Sequence, residues 1–338
     1  MRIGLFLSLE HALDDDISAR FKELLEFVSF ARDAGFDFVH AGQHLLVPQF
    51  QYLQSLPVLS RIAAESGDME IGTDILLLAL HHPVHVAELA ATLDIICGGR
   101  FSLGVGLGYR DVEFESLGVR KGSRLKRFLE SIELIKRLWT DQSVSFQGEY
   151  YQVEDVTLAA RPLQQPRPPI VLAASADNMV RRAARVADAL SLTGHGTVDT
   201  LVRQVEIYKD ALQKQGKSFP PEKFRLSKEL YVAPTREQAQ RESFPYIEAK
   251  YDAYSAWGQD DVLPEGESFK KSIRELSQDR FIIGTPDDCI EQITAHHDAI
   301  GFQDFSFRLH YPGMPQQQLM GALDLFAQRV LPELKKAS

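Results

Sequence analysis

Three places in this chain set chemically capable side chains beside backbone that could present them. His44 follows Gln43 directly after the apolar run Phe36–Ala41 and precedes a loop with Pro48 and several aromatic residues. An imidazole at such a place titrates near neutral pH and can serve as a general acid or base. The plain alternative is a loop histidine facing solvent, and position alone does not choose between them. Gly104-Val105-Gly106-Leu107-Gly108-Tyr109 is a glycine-rich turn leaving an apolar strand. Its third glycine falls one place early for the dinucleotide fingerprint, and no acidic residue follows at the right strand end. The missing Cβ atoms still let a flat ligand or a phosphate approach the backbone. Ala173-Ala174-Ser175-Ala176-Asp177-Asn178 leads small residues into a helix start, with Ser175 offering a hydroxyl. Free N–H groups there attract anions, while Ser175 or Asp177 could equally be an ordinary helix cap.

A fourth cluster, His81, His82 and His85, invites a metal ion. Pro83 opens a helix between them, so the three rings do not share one helical face, and no second cluster completes a shell. The spacing reads against a metal site. No Ser-His-Asp order and no strand-end lysine anchors a hydrolase or a Schiff-base aldolase.

Composition narrows the classes further. The chain has 338 residues, 44% of them hydrophobic, with 20 Phe, 10 Tyr, 22 Gly and 16 Pro, which supplies a large core without low-complexity bias. The longest apolar run, Ile75–Leu80, is far short of the roughly 20 residues that span a bilayer. With 37 basic against 47 acidic residues the net charge is -10, the wrong sign for a protein that gathers phosphate backbones, so nucleic acid is not an expected partner. Cys97 and Cys289 lie on helical segments and read as buried thiols rather than a disulfide. The N-terminus opens as a strand, Arg2–Ser8, without the features of a secretory signal, so a cytoplasmic location is expected.

The elements that must position these groups alternate along the chain. Apolar runs at Ile3–Leu7, Phe36–Ala41, Met69–Leu78, Phe101–Val105, Ile170–Ala173, Ala189–Leu192, Leu226–Val232 and Asp304–Leu309 read as strands. Between them the apolar period becomes helical, as in Ser18–Ala34, where Phe21, Leu24, Leu25, Val28 and Ala31 form one stripe that Gly35 stops. Further helices are expected at Leu56–Glu65, from Pro83 to Gly98-Gly99, and at Ser123–Trp139, Arg236–Tyr254, Pro286–Ile300 and Gln316–Leu334. Continuously apolar strands alternating with helices predict a single (β/α)₈ barrel over residues 1–338. The polar, glycine-containing stretch Trp257–Asp279 reads as an insertion. Barrels place their chemistry at the C-terminal strand ends, where Leu7-Ser8, His44, the glycine turn and Ala174-Ser175 all fall.

Six segments then occur in one order over almost the whole chain. They are Gly99-Arg100-Phe101-Ser102-Leu103 leading into the glycine turn, Arg124-x-x-Arg127-x-x-Glu130 leading to Leu138-Trp139, and Phe146-Gln147-Gly148-Glu149-Tyr150-Tyr151. Pro168-Pro169-Ile170 running into the Ala-Ala-Ser turn, Ala183-Ala184-x-x-Ala187-Asp188 and Gly284-Thr285-Pro286 complete the set. Together they resemble the bacterial luciferase-like flavin monooxygenases. The resemblance implies a barrel that takes reduced flavin mononucleotide (FMN) from a separate flavin reductase and uses O₂ to oxidise a small organic substrate. A sister branch uses the deazaflavin coenzyme F420 for hydride transfer, and a non-catalytic flavin-binding subunit is a further alternative. His44 matches the family's active-site histidine. Asp74-Ile75 matches a pair joined by a non-proline cis peptide behind the flavin ring. Leu7, Ser8, Asp74, Ile75, Gly106, Leu107, Tyr109, Ala174 and Ser175 are the implied cofactor contacts, the 257–279 insertion the implied lid, and a homodimer the implied assembly.

The sequence departs from the luciferase pattern in two places. Leu107 stands where luciferase offers an arginine to the flavin phosphate, which leaves backbone N–H groups, Ser175, a helix dipole and Arg110 to hold it. Gln43 and Leu45 replace a glutamate and a histidine beside His44, so light emission from a long-chain aldehyde is not implied.

Overall fold

Eight parallel strands hydrogen-bond into a closed ring in the computed structural model, which describes residues 1–192, 194–219 and 224–336. They are β1 (Arg2–Leu7), β2 (Phe38–Ala41), β3 (Glu70–Leu77), β4 (Phe101–Gly106), β5 (Ile170–Ala174), β6 (Ala189–Leu192), β7 (Phe224–Val232) and β8 (Asp304–Arg308). Neighbours in sequence are neighbours in the ring. The β6–β7 pairing, Leu190 opposite Phe224 through Leu192 opposite Leu226, completes it. The fold is therefore the expected (β/α)₈ barrel, and β7 is buried along its whole length, as a strand covered on its outer face must be.

Local chemistry sets the outer helices. Helix α1 (Ile17–Asp33) starts where the Asp16 carboxylate accepts from Ser18 and Ala19 N–H, buries Leu24, Phe27, Val28 and Ala31, and ends before Gly35, whose φ of 84° suits glycine. Helix α2 (Ser55–Ile62) stops three residues before the expected Glu65. Helix α3 (Pro83–Ile96) has its proline in the first turn, and the His82 ring accepts from Val84 N–H as its cap. His81 is held by Gln43 Oε1 at 2.9 Å, so these two imidazoles serve structure.

β3 carries the one irregularity that shapes the upper face. Its register against β4 shifts between Thr73 and Leu76, and the Asp74–Ile75 bond is cis, as the resemblance implies. The distorted segment lies so close to β4 that a Cβ on Gly104 would sit 1.9 Å from the Thr73 carbonyl oxygen, and one on Gly106 2.6 Å from Ile75 Cδ1. The glycine-rich turn is thus first a packing requirement.

At the opposite end a charged layer closes the floor. Arg225 of β7 donates to Glu70 of β3 at 2.6 Å, to Asp304 of β8 at 3.2 Å and to Ser102 of β4 at 3.2 Å. Arg2 of β1 bridges Glu70 and Asp304 from the rim, and His40 of β2 lies 3.4 Å from Glu70. Six of the eight strands contribute. Although burial alone would raise it, Arg225, His40 and Arg2 hold Glu70 well below its ordinary range.

Two elements differ from expectation. Val144–Gln147 and Gln152–Val156 form an antiparallel hairpin whose outer residues are mostly exposed, so it lacks the apolar run that betrays a barrel strand. Phe281–Gly284 pairs with the upper half of β7, Glu229 through Val232, outside the ring. The 257–279 insertion carries a tight turn at Gln259–Val262 and leads into helix Ile273–Arg280, held by a Ser272/Glu275 capping box. Among the described residues no helix is long and apolar enough to cross a membrane.

Because Arg225 is the buried cation facing two carboxylates, Arg225→Met should cost about 3–5 kcal/mol in urea unfolding. A loss below about 1 kcal/mol, the worth of an exposed pair, would show that the layer does not hold the floor.

Candidate active site at the C-terminal face

Above the floor the strand ends enclose a cavity of about 270 Å³. Of the residues picked out from sequence, Ser8, His44, Asp74, Ile75, Gly106, Leu107, Tyr109, Ala174 and Ser175 all line it. Leu7 does not: it is 1% exposed, belongs to the core, and faces a separate small cavity beside His11 and His310. Alternation explains this, since neighbouring residues of a strand point to opposite faces.

The β3, β4 and β5 side of the cavity is flat and small. Ile75, Gly106, Ala173 and Ala174 form it, and Asp74 accepts a 3.3 Å hydrogen bond from Ser191 of β6. Gly194 continues the wall, where a Cβ would sit 1.8 Å from the Ser227 carbonyl oxygen. Beyond the helices α4 (Asp111–Ser116) and α5 (Arg124–Thr140), Ser175 precedes helix α6 (Asp177–Val186), whose first turn has no side-chain cap. The cap that sequence allowed is not formed. Asp177 pairs with Arg203 instead, and Ser175 contributes its carbonyl to Gln204 Nε2. Ser175 and Ala176, the residues that lead into α6, line the cavity, so an uncapped helix start lies beside it.

His44 sits at the end of β2 with its ring Nδ1 3.0 Å from Glu113 Oε1. Glu113 is on a short helix, α4 (Asp111–Ser116), and is fully buried. Its Oε1 also accepts from Leu45 N–H at 2.9 Å and lies 3.3 Å from Arg110 Nη1, while Oε2 is buried without a partner. A carboxylate receiving at Nδ1 places the ring proton there and leaves Nε2 as the free lone pair. Gln54 holds the His44 carbonyl at 2.9 Å and is itself bonded to Gln43. His44 is thus a positioned imidazole, not a solvent-facing loop residue. Tyr52, Tyr109 and Trp257 surround it at ring distances of 5.3–6.0 Å.

Arg110 turns away from the cavity. It donates to the Leu45 and Leu46 carbonyls at 2.6 and 3.1 Å and stacks on Trp257, so its guanidinium is committed to holding the His44 loop. It is unsuited to a cofactor phosphate. The inserted segment closes the rim: Gln259 and Val262 line the cavity, Gln259 accepts from the Tyr109 hydroxyl at 3.3 Å, and Trp257 Nε1 donates to Gln49 at 2.7 Å.

Sequence reasoning missed several lining groups. Glu10 accepts from Tyr254 at 2.8 Å and from Ser8 at 3.2 Å, and Arg308 lies across the Phe6 ring 3.5 Å from its centre. Burial pushes the phenols of Tyr52, Tyr109 and Tyr254 up, so they remain neutral donors. Burial, with Arg308 and Lys250 nearby, holds the second cavity histidine, His195, well below the ordinary imidazole range and hence uncharged. His44 is the cavity imidazole that faces a carboxylate, the arrangement proton transfer requires. Among the described residues no group of three or more His, Cys, Asp or Glu could hold a metal ion.

Comparison with known proteins agrees with this geometry. The chain is 29% identical to an F420-dependent glucose-6-phosphate dehydrogenase of Microbacterium testaceum, over 93% of this chain and 94% of that protein. It is 24% identical to the oxygenase component of a flavin-dependent trigonelline monooxygenase of Acinetobacter baylyi, over 100% and 96%. Its fold superimposes on the oxygenating constituent of 3,6-diketocamphane monooxygenase of Pseudomonas putida, solved with FMN, at a TM-score of 0.84, with 19% identity and 98% of each chain covered. The family model for luciferase-like monooxygenases matches residues 1–303. A closed barrel with its cavity at the strand ends, matched over nearly its whole length, makes this chain an enzyme of the luciferase-like monooxygenase family.

Proposed function

We propose that the protein is the oxygenase of a two-component flavin monooxygenase: it binds reduced FMN supplied by a separate reductase and uses O₂ to oxidise a small organic substrate. The observation that carries this reading is the polarity of the cavity. One compact anion cradle, the Ser175 hydroxyl with the start of α6, suits a single phosphate. Among the described lining residues Arg308 is the one cation, and it lies on the β7–β8 side rather than at the rim. A sugar phosphate or the acidic tail of a deazaflavin would call for more. The trigonelline relative, named as an oxygenase component, supports a reductase partner.

The small-residue wall of β3, β4 and β5 fits a planar ring. Asp74, Ile75, Gly106, Leu107, Tyr109 and Ala174 are its contacts, with Ser8 at the β1 side. When bound, the reduced flavin supplies the electrons that activate O₂. The chain's share is to orient the ring, exclude water beneath the 257–279 lid and move one proton at His44 Nε2 while Glu113 keeps Nδ1 protonated. In the same reading the protein is a cytoplasmic homodimer. Leu89, Ile95 and Ile96, exposed on α3, are apolar side chains that such a contact would cover.

Hydride transfer with F420 is the second reading, favoured by the 29% identity to the Microbacterium enzyme. Titrating the purified protein with reduced FMN and with reduced F420 separates the two. The first reading expects micromolar or tighter FMN binding, about -8 kcal/mol, and a loss of about ten- to a hundredfold on Ser175→Ala. Tight F420 binding without an FMN response would transfer the site to the deazaflavin. An unchanged FMN dissociation constant in the variant would remove Ser175 from the phosphate.

For His44, the expected effect of alanine substitution is a fall in substrate oxidation of roughly 10² to 10⁴ fold with little change in FMN affinity. Steady-state oxidation by the parent and variant from pH 6 to 9 checks this. Parent-like rates across that range would mean that His44 is not the proton-transfer group.

A further inference from the structure

The β7–β8 side of the cavity holds a guanidinium whose N–H edge makes no hydrogen bond to the described residues. Arg308 ends β8, lines the cavity, and is 16% exposed at its side chain. A guanidinium carries five N–H donors. Among the described residues none of them makes a hydrogen bond to a protein acceptor. Its nearest carboxylate oxygen, Glu229 Oε1, is 3.7 Å away and already takes Lys250 at 2.9 Å. Glu10, the other carboxylate there, is occupied by Tyr254 and Ser8. The underside of the guanidinium rests on the Phe6 ring, which fixes its plane without satisfying its edge. Ser227 of β7 presents a second polar group of this kind: the residue lines the cavity, and its hydroxyl is buried without a partner. In register Glu229 stands opposite Arg308 and Ser227 one layer below, so the two unused donors share one wall.

Unmade hydrogen bonds in a buried site are costly, and groups that persist in that state are commonly waiting for a ligand. The wall's position says which one. In the ring β7 and β8 lie across from β3 and β4, so this wall faces the flat surface assigned to the flavin ring rather than forming part of it. Charge narrows the chemistry. Arg308 and Lys250 are balanced by Glu229 and Glu10, so an anionic ligand would add an uncompensated charge in a buried place, whereas a neutral acceptor leaves the balance intact.

We infer that Arg308 is the specificity-determining residue of the substrate site, holding a neutral carbonyl oxygen of the substrate between the Phe6 face and the Ser227 hydroxyl. The substrate class is accordingly an uncharged ketone, lactone, quinone or amide whose apolar body packs against Tyr52, Tyr254 and Leu9. This rests on the monooxygenase reading only in assigning the opposite wall to the cofactor. The carbonyl contact itself needs no flavin.

Three probes of one ring size separate the possibilities: cyclohexanone, methylenecyclohexane with the same shape but no oxygen, and cyclohexanecarboxylate. Binding to the protein without cofactor is measured by ligand-detected NMR, and the dissociation constant for reduced FMN is measured in parallel. Cyclohexanone should bind at least tenfold tighter than either analogue. Arg308→Met should erase that preference, with FMN affinity within about twofold of the parent. Because Arg308→Met leaves Glu229 facing one cation fewer, the neutrality-restoring pair Arg308→Met with Glu229→Gln is run beside it and should show the same loss. Equal affinity for ketone and hydrocarbon, or a ketone preference that survives both variants, overturns the assignment. Tighter binding of the carboxylate overturns its neutrality, and a tenfold weakening of FMN by Arg308→Met moves the residue to the cofactor. Failure of FMN to bind the parent protein would instead fault the monooxygenase reading and leave the ketone comparison standing.

Discussion

Oε1 of Glu113 is the atom on which the upper face of the barrel converges. It accepts from the His44 ring and the Leu45 N–H and lies 3.3 Å from Arg110, which in turn clamps the Leu45 and Leu46 carbonyls and stacks under Trp257. One buried charge thereby fixes the ring of His44, the loop that carries it and the start of the inserted segment. The carboxylate's other oxygen is left without a partner. Such an arrangement is unfavourable for stability alone and is in keeping with the proton-transfer role proposed for His44.

Two packing constraints make that carboxylate useful. The charged floor pins six strands in register at the lower end, so the strand ends above it are placed to within hydrogen-bond tolerance. The close approach of Thr73–Ile75 to Gly104 and Gly106 then flattens one side of the cavity. The opposite side, with Phe6, Ser227 and Arg308, stays polar and uneven. A cavity with one flat wall, one donor-bearing wall and a positioned imidazole at its edge is suited to holding two organic molecules face to face, which oxygen transfer between flavin and substrate requires.

Much of this was legible in the residues themselves. The eight barrel strands could be read because strands buried on both faces are continuous apolar runs, and turns such as Gly35 and Gly98-Gly99 mark where helices stop. The hairpin at 144–156 was hidden because its outer faces are polar, and Phe281–Gly284 because four apolar residues after Arg280 give no period to read. His44 could be placed from its strand end, but Glu113 could not: its partner lies 69 positions away, and on its own helix it looks like any first-turn acid. Arg308 did leave a trace, an arginine inside the otherwise apolar end of β8 where a barrel keeps its chemistry. The resemblance implies Leu7 as a cofactor contact, whereas strand alternation sends it to the core.

Proton transfer at His44 depends on which of its ring nitrogens carries the proton. Nitrogen NMR of histidine-labelled protein, at a pH above the ordinary imidazole range and assigned by difference against His44→Gln, reads this directly. The Glu113 contact requires a protonated Nδ1 and a bare Nε2, reverting to the Nε2–H form usual for imidazole in water when Glu113 is replaced by alanine. A parent ring already protonated at Nε2, or a tautomer indifferent to the loss of Glu113, would contradict it.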